Sequence, residues 1–173
     1  MRVGLGFDAH PFAQGRPLRL GGLDWPGERG LSGHSDGDVL LHAAADAILG
    51  AAGNGSLGEH FSDRDPARRG RDSAEMLARA AALAREKGLV LGNLDATVVG
   101  EAPRIAPRRE ELERRVAEIL GVPRERVSVR GTSTNGMGFP GRGEGLSAMV
   151  VVLLEPHLPP PSPAGEGVPE RRG

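Results

Sequence analysis

The segment LSGHSDGDVLLHAAADAILGAA, residues 31–52, decides the fold that we predict for this chain. Its second half is rich in Ala, Leu, Val and Ile, which is typical of a buried helix, and the glycines ahead of it indicate irregular backbone. Ser35, Asp36 and Asp38 lie where N-caps and first-turn acids accept the unpaired N–H groups of a helix start. The segment therefore predicts a turn that leads into a core helix.

A histidine between two carboxylates recurs along one face of this helix. Asp38, His42 and Asp46 are spaced four residues apart, so their side chains stack on the same side. Taken alone, His42 is best interpreted as a core histidine with a hydrogen-bonded ring. A functional interpretation needs further ligand-type side chains elsewhere in the chain.

The N-terminus supplies two such side chains. Arg2–His10 alternates like a strand, so Asp8 and His10, two residues apart, point to the same side and can share an ion. Together with His42 they make an O,N,N ligand set of the kind that zinc uses at catalytic sites, where a fourth position stays open. In that hypothesis, Asp38 or Asp46 accepts a hydrogen bond from the His42 ring.

Composition excludes several classes of protein. The 173 residues predict one domain, and the formal net charge of −1 with few aromatic residues argues against nucleic acid or an anionic membrane as a partner. Cysteine is absent, so any metal site must use histidine and carboxylate. Neither a span of about 20 apolar residues nor a signal-peptide pattern occurs, so we expect a cytoplasmic protein.

The remaining patterns predict an α+β fold with a mixed sheet and about three helices on one face. Residues 1–155 form the single predicted domain, and the proline-rich residues 156–173 form a disordered or extended tail. The polar segment 53–70 is either a functional loop or a surface excursion. The further predicted elements are strands Arg2–His10 (ended by Pro11), Leu18–Leu20, Asn93–Gly100, Val127–Ser133 and Leu146–Leu154, a helix that begins at the N-cap Asp72 and ends at Gly88, and a charged amphipathic helix within the segment Pro103–Leu120.

The last predicted strand has an implication for assembly. Ala148–Leu154 (AMVVVLL) is apolar at both strand parities, so both of its faces require burial. Because three helices cover only one face, the other sheet face is predicted to be buried in a homo-oligomer.

A glycine-rich segment, TSTNGMGFPGRGEG at residues 132–145, follows a predicted strand. Consecutive N–H groups in such loops can bind anions, and Arg142 adds a cation suited to phosphate. Gly136, Gly138 and Gly141 match G-x-G-x-x-G, but the segment leads into a strand instead of a helix, which excludes a dinucleotide-binding fingerprint. A plain glycine-rich hairpin is the alternative. The residues thus indicate metal-assisted chemistry on a phosphorylated small molecule.

Three motifs identify a family. GFDAHPF at 6–12, GHSDGDVLLHAAADAILGAA at 33–52 and TSTNGMGFPGRGEG at 132–145 closely resemble the 2-C-methyl-D-erythritol 2,4-cyclodiphosphate synthases, and FSDRDP and GNLDATVVGEAPRIAP also fit. The resemblance covers roughly residues 1–155. It implies an intramolecular phosphoryl transfer of non-mevalonate isoprenoid biosynthesis: the 2-phosphate of 4-diphosphocytidyl-2-C-methyl-D-erythritol 2-phosphate attacks its own β-phosphorus and CMP leaves.

The resemblance also implies a set of site residues. Zn²⁺ or a similar divalent cation binds Asp8, His10 and His42, and a second cation, Mg²⁺ or Mn²⁺, bridges the substrate diphosphate. His34 and Ser133 are the implied catalytic residues. The implied substrate-binding residues are Asp8, His10, His34, Ser35, Ser56, Gly58, Phe61, Asp63, Asp65, Gly100, Ala102, Pro103, Arg104, Ile105, Ala106, Thr132, Ser133, Thr134, Asn135, Phe139 and Arg142.

The implied assembly is a homotrimer with active sites between subunits. Phe139 and Arg142 match residues of a central cavity that can take an isoprenoid diphosphate. Three positions depart from the family pattern: Ser56 replaces an acid that holds the ribose, Asn135 replaces a glutamate ligand of the second cation, and Gly136 replaces a basic residue. Because magnesium prefers carboxylate, Asn135 predicts weaker binding of the second cation.

Two other functions remain compatible with the residues. A zinc-dependent phosphohydrolase would use the same three ligands to activate water and would release inorganic phosphate. A trimeric binding protein would use its zinc only for structure, and the loss of His42 would then unfold it.

Overall fold

The computed structural model describes residues 1–61 and 72–157 of the chain. No helix among these residues is long and apolar enough to cross a membrane. The elements are β1 (Arg2–Leu20), β2 (Leu23–Leu31), α1 (Val39–Ala52), α2 (Leu57–His60), α3 (Ser73–Glu86), β3 (Leu89–Val99), α4 (Arg109–Leu120), β4 (Val127–Thr132), α5 (Gly138–Gly141) and β5 (Gly145–Pro156).

The five strands form one mixed sheet in the order β2-β1-β5-β3-β4. β1 pairs antiparallel with β2 and β5, β5 pairs antiparallel with β3, and β3 pairs parallel with β4. The three long helices α1, α3 and α4 pack together and against the sheet. The predicted α+β class with a mixed sheet and three main helices is confirmed.

The first two strands differ from the prediction. Pro11 does not end β1, which continues to Leu20, and the short predicted strand Leu18–Leu20 is the end of that same strand. Pro11 lies where β1 leaves β5 to pair with β2, and its carbonyl accepts a hydrogen bond from Ser32 N at 2.8 Å. A proline is tolerated there because its missing N–H falls at the change of partner.

The second strand β2, Leu23–Leu31, was not predicted. Its sequence LDWPGERGL contains Pro26-Gly27, a pair that is typical of turns. Pairing with the second half of β1 keeps the segment extended, at the cost of irregular register around Pro17.

Smaller differences concern element ends. Helix α4 begins at Arg109 after a 3-10 turn over Ala106–Arg108, so it occupies the C-terminal two thirds of the segment 103–120 that was predicted to hold a helix. The glycine-rich segment contains the four-residue helix α5. Residues 62–71, which include part of the predicted polar loop, and residues 158–173, nearly all of the predicted tail, lie outside the described residues.

Helix α1 lies directly on β1 because two glycines of that strand face it. A Cβ on Gly4 would lie 2.0 Å from the carbonyl oxygen of Ala47, and one on Gly6 would lie 1.9 Å from that of Ala43. Only residues without a side chain permit so close an approach. Asp8 follows Gly6 by two residues and lies on the same face of β1. His42 directly precedes Ala43 in α1.

The opposite face of the sheet is apolar and exposed in the single chain. Val3, Leu5 and Phe7 of β1 are 70%, 68% and 56% exposed, and Leu5 and Phe7 pair in register with Val151 and Met149 of β5. Monomeric proteins rarely expose contiguous apolar patches of this kind. The prediction that this face requires a partner is consistent with the exposure.

Candidate metal and substrate site

The triad of Asp8, His10 and His42 is brought together by the contact between β1 and α1. Asp8 and His10 lie on the helix-facing side of β1, as the spacing of two predicts. Asp38 caps α1, and its side chain accepts a hydrogen bond from Leu41 N at 3.1 Å. His42 stands in the first turn after this cap and faces the strand.

The ligand atoms of the triad form a compact triangle. Asp8 Oδ2 lies 2.9 Å from His10 Nε2 and 3.0 Å from His42 Nδ1, and the two nitrogens are 3.2 Å apart. Burial alone would raise the pKa of Asp8, but the hydrogen bonds to the two histidines hold that pKa well below its usual range. The hydrogen bond to Asp8 raises the pKa of His10 above 6.5 although burial opposes this.

This triangle fits a divalent cation. A tetrahedral metal with bonds of about 2.0–2.1 Å separates its ligand atoms by about 3.3 Å, close to the distances seen here. With both imidazoles neutral and their lone pairs turned inward, three electron-rich atoms face one another, and a cation between them removes the repulsion. Within the described part of the chain, these three residues are the group that could hold a metal ion.

The other nitrogen of His42 has partners that the sequence did not reveal. His42 Nε2 lies 3.0 Å from Ser35 Oγ and 2.9 Å from Ser73 Oγ. The hypothesis that Asp38 or Asp46 accepts a hydrogen bond from this ring is wrong. Asp38 accepts from the backbone of Gly21, Gly22 and Leu41, and Asp46 accepts from Leu57 N at 2.6 Å.

The loop that carries His34 is held by an arginine of the strand β1. Arg16 donates from its two terminal nitrogens to Gly33 O at 2.7 Å and to Ser35 O at 2.6 Å. These carbonyls flank His34, whose side chain is exposed beside the triad loop. No sequence motif pointed to Arg16, because a planar two-pronged contact with carbonyls has no fixed spacing along the chain.

A cavity lies beside the triad, at the same end of the sheet. It is a cleft of about 470 Å³ between the ends of β3 and β4 and the segment that follows β3. Leu146 lines it and pairs in register with His10, so the cleft and the triad lie on neighbouring strands. The predicted substrate-binding residues that line it are Gly100, Pro103, Arg104, Ile105, Ala106, Thr132 and Ser133.

The glycine-rich segment contributes a tight turn next to this cleft. Asn135 adopts a left-handed backbone with φ 53°, and its N–H points toward Ser133 Oγ at 3.4 Å. Thr134 donates from its hydroxyl to Met137 O at 2.5 Å. Arg142 is exposed and paired with Glu144, with Nε–Oε1 at 2.7 Å, while Phe139 is half-buried.

The remaining predicted residues lie after α1. Ser56 caps the short helix α2 in a capping box, and its N–H and hydroxyl each donate to Glu59 Oε1 at 3.0 Å. Gly58 is exposed in that helix, Phe61 follows it, and Ala102 is exposed near the cleft. Asp63 and Asp65 lie outside the described residues.

The fold and the site define a class: an α+β protein with a carboxylate and two histidines arranged for a metal, and a cleft at the same sheet end. A model of the YgbB family matches residues 1–155, and the chain belongs to that family. A relative from Geotalea uraniireducens named 2-C-methyl-D-erythritol 2,4-cyclodiphosphate synthase is 52% identical over 155 residues, which are 90% of this chain and 99% of the relative. The family predicted from the three motifs is confirmed.

Solved structures agree with this. The bifunctional IspDF from Campylobacter jejuni matches with a TM-score of 0.86 at 39% identity, over 90% of this chain and 42% of that longer chain. A 2C-methyl-D-erythritol-2,4-cyclodiphosphate synthase in a CDP-bound form matches with a TM-score of 0.81 at 34% identity, over 89% of this chain and 100% of that one.

Proposed function

We propose that this chain converts 4-diphosphocytidyl-2-C-methyl-D-erythritol 2-phosphate to 2-C-methyl-D-erythritol 2,4-cyclodiphosphate and CMP, as a cyclising phosphorus–oxygen lyase of cytoplasmic isoprenoid biosynthesis. The observation that carries the proposal is the triangle of Asp8, His10 and His42, with edges of 2.9–3.2 Å, in a chain 52% identical to a synthase of that name.

Asp8, His10 and His42 would hold zinc or a similar divalent cation, and a second cation such as Mg²⁺ would bind with the substrate diphosphate. When bound, these ions supply positive charge that neutralises the diphosphate oxygens. Asn135 is the candidate protein ligand of the second cation. Its amide oxygen carries no charge, so its contribution to binding is weaker than that of a carboxylate.

The protein's own part of the reaction is to position the substrate and stabilise its charge. An oxygen of the 2-phosphate bonds to the β-phosphorus while the bond from that phosphorus to the oxygen of CMP breaks. One P–O bond replaces another, so the reaction needs no oxidant or reductant. Like-charged phosphates repel, and holding them in line removes most of the entropic barrier. His34 and Ser133 are the groups that we place beside the charge that develops at the reacting phosphorus.

The cleft provides the nucleotide end of the site. Residues 100–106 present backbone groups that can recognise cytosine, Thr132–Asn135 offer hydroxyls and N–H groups for phosphate, and Ser35, Ser56, Gly58, Phe61, Asp63 and Asp65 complete the substrate-binding set. The CDP-bound relative supports a cytidylyl substrate, because it shares the fold over the whole of its length.

We further propose a homotrimer in which the sites lie between subunits. The exposed apolar side chains of β1 and β5 support it, since burying them against a second copy is favourable by about 25 cal/mol per Å². Phe139 and Arg142 would line a central cavity open to an isoprenoid diphosphate, which must compete with Glu144 for Arg142. Residues 1–155 are the proposed catalytic domain, and 156–173 a dispensable tail.

The test is to supply the cytidylyl substrate with zinc and magnesium and to follow CMP and inorganic phosphate. The proposal expects CMP and no phosphate, whereas release of phosphate would favour a phosphohydrolase. His42→Ala is expected to remain folded by circular dichroism and to lose at least about a hundredfold in turnover. Unfolding of that variant would favour a purely structural metal.

A further inference from the structure

The side chains behind His42 form a chain of hydrogen bonds that ends on a carboxylate. Ser73 Oγ, 2.9 Å from His42 Nε2, also donates to Asp36 Oδ1, and Asp36 Oδ2 accepts from Ser73 N at 3.1 Å. Ser73 is fully buried, and His42 is 9% exposed. In such surroundings a polar group left without a partner is costly, so the hydroxyl of Ser73 and the ring of His42 each require a hydrogen-bond partner.

The capping of α3 does not explain this arrangement. Asp72 is the N-cap of that helix, and its side chain accepts from Ala74 N at 2.8 Å. Ser73 is the first helical residue, so its hydroxyl is not required to satisfy the helix end. The hydroxyl of Ser73 instead lies between the ring of His42 and the carboxylate of Asp36, which belongs to the loop before α1.

The position of each proton in this series of hydrogen bonds can be assigned, starting from Asp36. An ionised carboxylate accepts only, so the Ser73 hydroxyl hydrogen is directed at Asp36, and the lone pairs of Ser73 Oγ are left for His42. That oxygen then accepts from His42 Nε2, which must carry the ring proton. In the neutral ring the other nitrogen, Nδ1, is then left with a lone pair directed toward Asp8 and His10, where a bound cation would replace the proton that otherwise joins Nδ1 to Asp8.

The hydroxyl of Ser35 does not determine which nitrogen of His42 carries the proton. Its Oγ is 3.0 Å from His42 Nε2 and accepts from Gly37 N at 3.2 Å, but its own hydrogen can be directed either at Nε2 or away from it. Asp36 removes this ambiguity for Ser73. Of the two hydroxyls on this nitrogen, only the one bound to the carboxylate has a defined direction.

We propose that Ser73 and Asp36 are positioning residues that hold His42 in the tautomer whose Nδ1 binds the metal. The inference rests on the metal site of the proposed function and adds to it a hydrogen-bond chain from α3 and the loop before α1. Partners of this kind orient a metal-bound histidine and increase its basicity, and their loss commonly weakens metal affinity 10- to 100-fold.

The experiment measures zinc affinity directly, by competition with a chromophoric chelator at fixed pH, for the full-length protein and its variants. Ser73→Ala is expected to weaken zinc binding about tenfold. Asp36→Asn is expected to do the same, because its amide can donate to Ser73 Oγ and so turn the hydroxyl hydrogen toward Nε2. The visible spectrum of the cobalt(II)-loaded protein is expected to change in both variants.

The matched control is Asp72→Ala, which removes the N-cap of the same helix and leaves the contact between Ser73 and His42 in place. It is expected to lower thermal stability and to keep zinc affinity within about twofold. Equal weakening of zinc binding by Asp72→Ala and Ser73→Ala would overturn the inference, because loosening of α3 would then be the cause.

Two further outcomes separate this inference from the function it rests on. If folded Ser73→Ala and Asp36→Asn bind zinc as tightly as the wild-type protein, this inference is overturned while the proposed function stands. The contact between Ser73 and Asp36 would then only connect α3 to the loop before α1. If the wild-type protein bound zinc no better than His42→Ala, the metal site would be wrong and both proposals would fail.

Discussion

Gly6 of β1 lies so close to Ala43 of α1 that a Cβ on the glycine would come within 1.9 Å of the alanine carbonyl oxygen. This contact sets the distance between α1 and β1. The neighbouring contact between the two elements joins Asp8, two residues after Gly6, to His42, one residue before Ala43. The geometry of the triad therefore depends on a helix–strand contact whose own residues, Gly6 and Ala43, are not ligands.

Gly6→Ala is expected to destabilise the fold by about 3 kcal/mol, because the added methyl must displace the backbone of α1. The same displacement separates Asp8 from His42, so zinc affinity should also fall. Urea unfolding and chelator competition measure the two effects. Gly50→Ala is the control: this glycine is in the same helix with open space around its Cβ position, and the change should stabilise by about 0.5–1 kcal/mol.

The metal-free protein is expected to lose stability as pH rises. The pKa of His10 is raised above 6.5, so its contribution to stability is fully present below that pH and is lost as pH rises through the folded value. The pKa of Asp8 is lowered, so its contribution is present above about 3.8 and is lost as pH falls below that value. Unfolding midpoints in a chelator between pH 3 and pH 9 test both signs.

Zinc affinity is expected to depend on pH in the opposite direction to the stability of the metal-free protein. Zinc must displace the proton of His10, so zinc affinity is expected to rise with pH while the stability of the metal-free protein falls. In Asp8→Asn, His10 loses the carboxylate that raises its pKa, and the fall in stability above pH 6.5 should disappear. A metal-free protein whose stability rises over that range would contradict the assignment.

Arg16 is expected to matter for turnover and little for zinc. Its hydrogen bonds to Gly33 O and Ser35 O fix the loop of His34, the proposed catalytic residue, and a displacement of about 1 Å at a catalytic group can cost on the order of a hundredfold. Arg16→Ala should thus lower kcat by about 10- to 100-fold, and Arg16→Lys by less. Arg19, like Arg16, belongs to β1, and its ion pair with Asp24 of β2 lies at the surface, so Arg19→Ala should leave kcat unchanged.

Leu5→Glu is expected to convert a trimer into monomers. Leu5 is 68% exposed and pairs in register with Val151, so a charge there would be buried unpaired in the proposed interface. Light scattering at micromolar concentration measures the mass. Arg114→Glu, on the exposed side of α4, is the charge-change control and should remain trimeric. A monomeric wild-type protein would refute the assembly.

Asn135→Glu is expected to strengthen binding of the second cation. A carboxylate is a better magnesium ligand than an amide, so the magnesium concentration for half-maximal CMP release should decrease several-fold. The left-handed backbone at φ 53° tolerates asparagine better than glutamate, and a loss of stability of about 1 kcal/mol should accompany the change. An unaltered magnesium dependence would show that residue 135 does not contact the cation.

Local patterns of sequence were sufficient for the main parts of the fold. The period of two in Arg2–His10 placed Asp8 and His10 on one side. The group Ser35, Asp36 and Asp38 marked the start of α1, where Asp38 is the cap, and Asp72 marked the start of α3. Strand β2 was missed because a proline–glycine pair outweighs a weak strand pattern when the pairing partner is unknown.

The order of amino acids is enough to show which side chains are available and which face of its own helix or strand each one occupies, because these follow from the periods of helix and strand. The three-dimensional packing was needed to show that Gly4 and Gly6 let α1 approach closely enough for Asp8, His10 and His42 to meet. It also placed Ser73 behind His42 and Arg16 behind His34. Such contacts join residues distant in sequence through backbone approach and hydrogen-bond direction, for which the order of amino acids carries no fixed spacing.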